Sequence, residues 1–416
     1  MPRKPLFAAL LAVLLFSVLP AAGRSAGRSA GRSAERSAER SAERSDAKRY
    51  AWERRRTERL IPTDAVLCYG QSHHRKPYAW DEAHFEPYVT YVDTTGREQW
   101  LFDGFIFLES QDMERPDKRN YTYMTGVLRD RGLSAGRAQW ENLLDYYFDG
   151  EKNLAALDRA VHAAVKRLGK PATKRRVVMM IPDPIIYHHW IDSMTSTTYW
   201  GEVEGRRLDF RRTEDRFAAC KWFIDQVRER FDRAGYRHLE LAGFYWLREN
   251  IAQPQDTEYS YYLTRSDVLL PLIADYLHGM NYTFNWIPFY DARGYEEWPK
   301  FGFDKVYLQL NHYWKPENDV DVACRRILEF GSSIEFEFES SILNAREGSG
   351  VYRARFRDYM RGARQYGIYG TQPLAYYQGY MSLYDLWVSE DPVDRAFFHE
   401  FCRFVVNNPL REENRP

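Results

Sequence analysis

The chain is poor in cysteine, has no excess of charge of either sign, and has no apolar run long enough to cross a bilayer comfortably. Each shortage closes off a class of function. Its four cysteines, Cys68, Cys220, Cys324 and Cys402, are far apart and form no CxxC pair, so they make no zinc site and read as buried free thiols. The 59 basic residues balance the 59 acidic ones, which leaves no basic footprint for nucleic acid. The residues after the first strand pattern, Gly70-Gln71-Ser72-His73-His74, are not the glycine-rich turn that cradles a dinucleotide, so no cofactor is expected. No HExxH is present. His73-His74 and His188-His189 could approach Asp81 or Asp183, but adjacent histidines point in different directions on a regular element, and no metal is expected.

The apolar run from Leu6 to Leu19 follows Arg3 and Lys4 and precedes Pro20-Ala21-Ala22-Gly23. These are the three parts of a secretory signal peptide, assigned here to residues 1–22, and the run is short of the roughly 20 residues of a membrane span. The expectation is a secreted or periplasmic protein without a membrane span. No cysteine follows the run, so a lipid anchor is not expected. Residues 23–46 repeat Gly-Arg-Ser-Ala and then Glu-Arg-Ser-Ala, without an aromatic or large aliphatic side chain. Such a stretch cannot bury enough surface to offset its ordering entropy, and residues 23–58 read as a disordered tether.

Residues 59–409 are different, being globular in composition and drawing on the chain's 12 Trp, 30 Tyr and 24 Phe. Short apolar runs predict strands at Ala65 to Tyr69, Phe102 to Leu108, Arg176 to Ile181, Leu239 to Trp246, Thr283 to Ile287, Lys305 to Leu310, Ser333 to Phe338 and Pro373 to Tyr377. Amphipathic periodicity predicts helices at Leu154 to Leu168, Glu214 to Ala234, Asp267 to Leu277, Asp319 to Phe330, Tyr352 to Tyr366 and Pro392 to Val406. Strand followed by helix, repeated, means parallel strands joined by right-handed crossovers. Eight such units close into an α/β fold, the (β/α)8 TIM barrel. The rival, a doubly wound open sheet, would call for the glycine-rich turn that the chain lacks.

The segment Ser333-Ile334-Glu335-Phe336-Glu337-Phe338-Glu339 alternates carboxylates with large apolar residues. On a strand the glutamates share one face, and in a helix-covered sheet that face is expensive to charge unless the carboxylates are partnered or used. Barrel chemistry sits at the C-terminal strand ends. There the sequence places Tyr69 and Gln71, Glu109 and Gln111, Asp183, then Trp246, Arg248 and Glu249, then Tyr290 and Asp291. Gln309, Asn311, Tyr313, Tyr377 and Gln378 complete the ring.

Glu249 at the fourth strand and Glu337 at the seventh face each other across a barrel mouth, as glycoside hydrolysis by two carboxyl groups requires. Glu339 is the close alternative to Glu337, and Glu335 stands beside them. Structural roles for any of these glutamates remain open at this point. Aromatic residues collect near the same loops: Tyr78, Trp80, Tyr187, Trp190, Tyr199, Trp200, Trp286, Tyr290, Trp298, Tyr313, Trp314, Tyr376 and Tyr377. Their ring faces match the C–H faces of sugars, and their polar edges match hydroxyls. Gly132-Leu133-Ser134-Ala135-Gly136 fits G-x-S-x-G but follows a charged run, so a nucleophile elbow is not expected.

Several strand-end motifs, in this order, resemble a bacterial family of unknown function, DUF4855. They are Val66-Leu67-Cys68-Tyr69-Gly70, Phe102-Asp103-Gly104-Phe105, Met180-Ile181-Pro182-Asp183-Pro184, Gly243-Phe244-Tyr245-Trp246, Ile287-Pro288-Phe289-Tyr290, Gly302-Phe303-Asp304 and Ile334-Glu335-Phe336-Glu337. Members of that family look like TIM-barrel glycoside hydrolases of polysaccharide-degrading gene clusters. The resemblance implies Glu249, Glu335 and Glu337 as the acidic residues, with Gln309 and Asn311 as substrate contacts. The expectation is a secreted glycoside hydrolase with a carbohydrate substrate and no cofactor. A non-catalytic glycan-binding barrel is the alternative.

Overall fold

A computed structural model of the protein describes residues 58–70, 79–112, 121–124, 133–185, 200–251, 265–379 and 381–414. Eight parallel strands form a closed barrel, β1 (Asp64–Cys68), β2 (Gly104–Phe107), β3 (Arg175–Ile181), β4 (Leu239–Trp246), β5 (Thr283–Trp286), β6 (Lys305–Gln309), β7 (Ser333–Glu337) and β8 (Leu374–Tyr377). Each strand pairs with its neighbours in sequence, and β8 closes on β1 with Asp64 opposite Leu374. The chain is therefore a (β/α)8 TIM barrel, with all eight expected strands present within two residues of their predicted ends.

Local signals explain the helices between strands. The helix Val320–Phe330 starts where Asp319 caps the backbone N–H of Val322 at 2.9 Å, and it stops at Gly331, whose φ of 69° ends helices readily. The last helix, Pro392–Val406, has Asp391 accepting from Val393 N at 2.8 Å and proline at its first position. Three further helices were not anticipated: Glu82–Val89, Arg137–Tyr147 and Ser382–Val388. Among the described residues no helix is long and apolar enough to cross a membrane. All four cysteines are buried and unbridged.

The alternation on β7 sorts its side chains between two environments. Phe336 points outward to the helices, where its ring lies 5.8 Å from Phe356, 5.9 Å from Tyr359 and 5.3 Å from Phe404. Glu335 and Glu337 point to the barrel interior, and both are buried. Burying an aromatic ring of this kind is worth about 1.5–3 kcal/mol, so the outer face holds the strand while the inner face bears the carboxyl groups.

The opposite, N-terminal end of the barrel is tied by buried charge. Asp103 accepts from Thr63 N at 2.9 Å, Asp64 N at 2.8 Å and Arg176 Nη1 at 3.0 Å. The segment after the last helix packs here as well, with Glu413 accepting from Arg175 at 2.9 Å and Glu412 from Arg176 at 3.2 Å. This end serves stability, as expected of a barrel floor.

Candidate active site

A cavity of about 240 Å³ opens among the C-terminal strand ends, lined by Tyr69, Tyr245, Glu249, Gln309, Trp314, Glu335, Glu337 and Tyr377, with Leu67, Leu108, Ser110, Met124 and Leu247. Strand register assembles it. Gln309 lies opposite Glu335 on adjacent strands, and Glu337 lies opposite Tyr377. Gln309 and Glu335 thus share one register position, and Glu337 and Tyr377 share the next inward one toward the mouth.

A chain of amide side chains joins Glu249, in the loop after β4, to Glu337 on β7. Gln309 Nε2 donates to Glu249 Oε1 at 2.9 Å and to the carbonyl of Ile287 at 3.3 Å. Asn311 Nδ2 donates to Gln309 Oε1 at 3.3 Å and to Glu337 Oε1 at 3.0 Å. The backbone N–H of Asn311 reaches Glu337 Oε2 at 2.6 Å, and the Tyr359 hydroxyl donates to the same oxygen at 2.6 Å. Asn311 Oδ1 in turn accepts from Tyr290 N at 3.0 Å, which fixes the amide's orientation.

The three carboxyl groups have unequal environments. Burial raises the pKa of Glu337 above the usual carboxylate range, while its bonds from Tyr359 and Asn311 pull the other way. Glu249 is also raised by burial, and the single bond from Gln309 opposes that. Glu335 is raised well above that range: burial comes first, followed by the neighbouring charges of Glu337 and Glu249, and its Oε1 has no hydrogen-bond partner among the described residues. Removing a proton from one of these groups discourages removal from the next. Glu337 is the one best provided with donors for a negative charge, whereas Glu335 has none at Oε1.

Of the residues singled out from sequence, Tyr69, Glu249, Gln309, Trp314, Glu335, Glu337 and Tyr377 line the cavity. Asn311 supports it from behind. The other described ones do not line it. Glu109 is buried and accepts from Gly70 N at 2.7 Å, which holds the start of the loop after β1. Asp183 and Arg248 face each other as a buried pair with Oδ2 and Nη1 3.8 Å apart. Trp246 packs outward near Phe284, with ring centroids 6.5 Å apart. Tyr290 contributes its backbone and lies under Arg326, whose guanidinium is 5.4 Å from its ring. Tyr313 is buried, its hydroxyl 2.8 Å from Ser341 Oγ. Glu339 lies past the strand end, and its carbonyl accepts from the Tyr313 hydroxyl at 3.4 Å.

Tyr245 and Tyr359 were missed by the sequence reading. Counting back by twos from Glu249 would have found Tyr245, since 249, 247 and 245 all reach the cavity. Nothing local marks Tyr359, which lies on the helix Ser349–Gln365 and meets Glu337 only through the fold. Ser134 lies in a small three-stranded sheet apart from the barrel, in the two-residue strand Leu133–Ser134. His73, His74, Tyr78, His188, His189, Tyr187, Trp190 and Tyr199 lie outside the described residues. Among the described residues, no group of three or more His, Cys, Asp or Glu side chains could hold a metal ion.

Fold and site together define a TIM barrel with a carboxyl-rich cavity at its C-terminal mouth. The chain belongs to the family described as domain of unknown function DUF4855, which it matches over residues 64–403. Among curated proteins, none matches the chain.

Proposed function

We propose that the protein is a glycoside hydrolase acting on a polysaccharide or oligosaccharide, with Glu249 and Glu337 as its working pair. One observation carries the reading: carboxyl groups from the loop after β4 and from β7 share one cavity, linked through Gln309 and Asn311 but with different donor sets. Glu337 accepts three hydrogen bonds and is the group suited to act as a carboxylate, on the anomeric carbon directly or through a water. Glu249 is half-buried, is raised by desolvation and accepts one hydrogen bond among the described residues, from Gln309, so it is suited to carry the proton that goes to the departing glycosidic oxygen. Tyr69, Tyr245, Tyr377 and the partly exposed Trp314 supply ring faces for the sugar.

The N-terminal pattern from Arg3 to Gly23 supports export, which the mass of the mature protein secreted from its host would test. The decisive experiment is a screen of purified protein against a polysaccharide panel, repeated with Glu249→Gln and Glu337→Gln. Both variants should keep the wild-type circular dichroism and lose about 10²–10⁴-fold in turnover. Unchanged turnover in both would overturn the assignment, while binding without cleavage by the wild type would mark a glycan-binding barrel instead.

A further inference from the structure

The cavity has a chemical imbalance that hydrolysis by two carboxyl groups does not explain. Glu249, Glu335 and Glu337 all line it, and among the described lining residues there is no lysine, arginine or histidine. Glu337 is satisfied by the hydroxyl of Tyr359 and by Asn311. Glu335 is not. It is 2 % exposed, and its Oε1 is buried with no hydrogen-bond partner among the described residues. Leaving such an atom unpaired is costly, and a ligand supplying a donor would remove that cost.

The kind of donor follows from what surrounds that oxygen. The described acidic groups are not placed to share a metal ion. Anionic sugars would meet three acidic groups with no lining cation among the described residues, which disfavours uronic and sulfated rings. Tyr69, Tyr245 and Tyr377 form the neighbouring wall, with the Tyr69 and Tyr377 rings at 84° and 5.7 Å between centroids. Aromatic faces attract cations, and carboxyl oxygens accept from them. A protonated amine satisfies both walls at once.

We propose that the sugar seated against Glu335 is a hexosamine with a free, protonated amine, so that the substrate class is a non-acetylated amino-sugar glycan. The ammonium donates to Glu335 Oε1 and faces the tyrosine wall. Acetylation would remove the charge and enlarge the group at that point. This inference rests on the reading of the cavity as a glycan site.

Binding and cleavage test the two readings separately. Titration calorimetry at pH 7 would compare glucosamine, galactosamine and mannosamine with their N-acetyl forms and with the parent neutral hexoses. At least one amine should bind about tenfold more tightly than both its N-acetyl form and its parent, and Glu335→Gln should remove most of that preference. Equal or weaker binding of every amine, or no binding of any, overturns the proposal, as does a preference that survives intact in a folded Glu335→Gln protein. If that variant fails to fold, the wild-type panel still decides. Cleavage of a neutral or acetylated glycan without amine preference would overturn this inference and leave the hydrolase standing. Amine-selective binding without cleavage of any amino-sugar polymer would do the reverse.

Discussion

The backbone N–H of Asn311 donates to Glu337 Oε2 at 2.6 Å, and it can do so because Asn311 sits at a φ of +54° just beyond β6. Asparagine tolerates this left-handed region better than most side chains, and there its amide also reaches Glu337 Oε1 and Gln309. One residue thus sets both the backbone and the side-chain donors of a single carboxylate.

Two substitutions separate those contributions. Asn311→Gly keeps the positive φ and the backbone donor but removes the amide relay, and kcat/KM should fall about tenfold, the size of one charge-assisted hydrogen bond. Asn311→Val also opposes the backbone conformation and should lose more activity and some stability. Steady-state kinetics on the best substrate, with thermal unfolding alongside, would check the order. Equal losses in the two variants would count against the backbone's role.

Tyr359→Phe tests the other donor at 2.6 Å. Donors lower the pKa of Glu337, so removing this one raises it, and the raised group stays protonated to higher pH. The acidic limb of the kcat/KM profile should therefore move to higher pH, with the loss largest at acid pH and smaller near pH 8. A uniform loss at every pH would indicate a packing defect.

The barrel was legible because strand patterns and helix periods recur in alternation, and burial of Phe336 against Phe356 and Phe404 rewards that alternation. Glu335 and Glu337 were legible for the same reason, since period two puts both on the face that the helices leave free. Glu339 was not separable from them by period alone. The strand ends at Glu337, the chain turns into Ser340–Ile342, and the third glutamate leaves the row. Tyr359 was beyond reach, because its 22-residue separation from Glu337 is closed only by the crossover helix folding back over β7.

Tyr245 and Trp246 are adjacent on β4 and should respond in opposite ways to truncation. A register shift between Leu241 and Gly243 resets the alternation there, leaving Tyr245 in the cavity and Trp246 buried outside it near Phe284 of β5. Tyr245→Ala should raise KM at least about tenfold through loss of a sugar platform worth about 1–3 kcal/mol. Trp246→Ala should cost about 3–5 kcal/mol of stability with KM unchanged in the folded fraction. Urea unfolding and KM measured on both variants would show whether the two effects divide this way.

Lys305 offers a test at the opposite end of the barrel. Its ammonium is buried and bonded to Gln372 Oε1 at 2.8 Å, and burial brings its pKa from 10.5 down to about 7. A lysine whose folded pKa lies below its unfolded value holds fewer protons when folded, so its contribution improves as pH rises from about 7 to 10.5. Below about pH 7 the full cost of the buried charge is present. Lys305→Met keeps the stem's volume and removes the charge, and Gln372 is placed to turn its amide to water because it is only half-buried. The variant should melt several degrees higher at pH 7, and the advantage should shrink as pH rises toward 9.5. Melting curves taken every half unit from pH 6.5 to 9.5 would show the two proteins converging. A variant less stable than wild type at pH 7 would mean that the bond to Gln372 outweighs the cost of burying the charge.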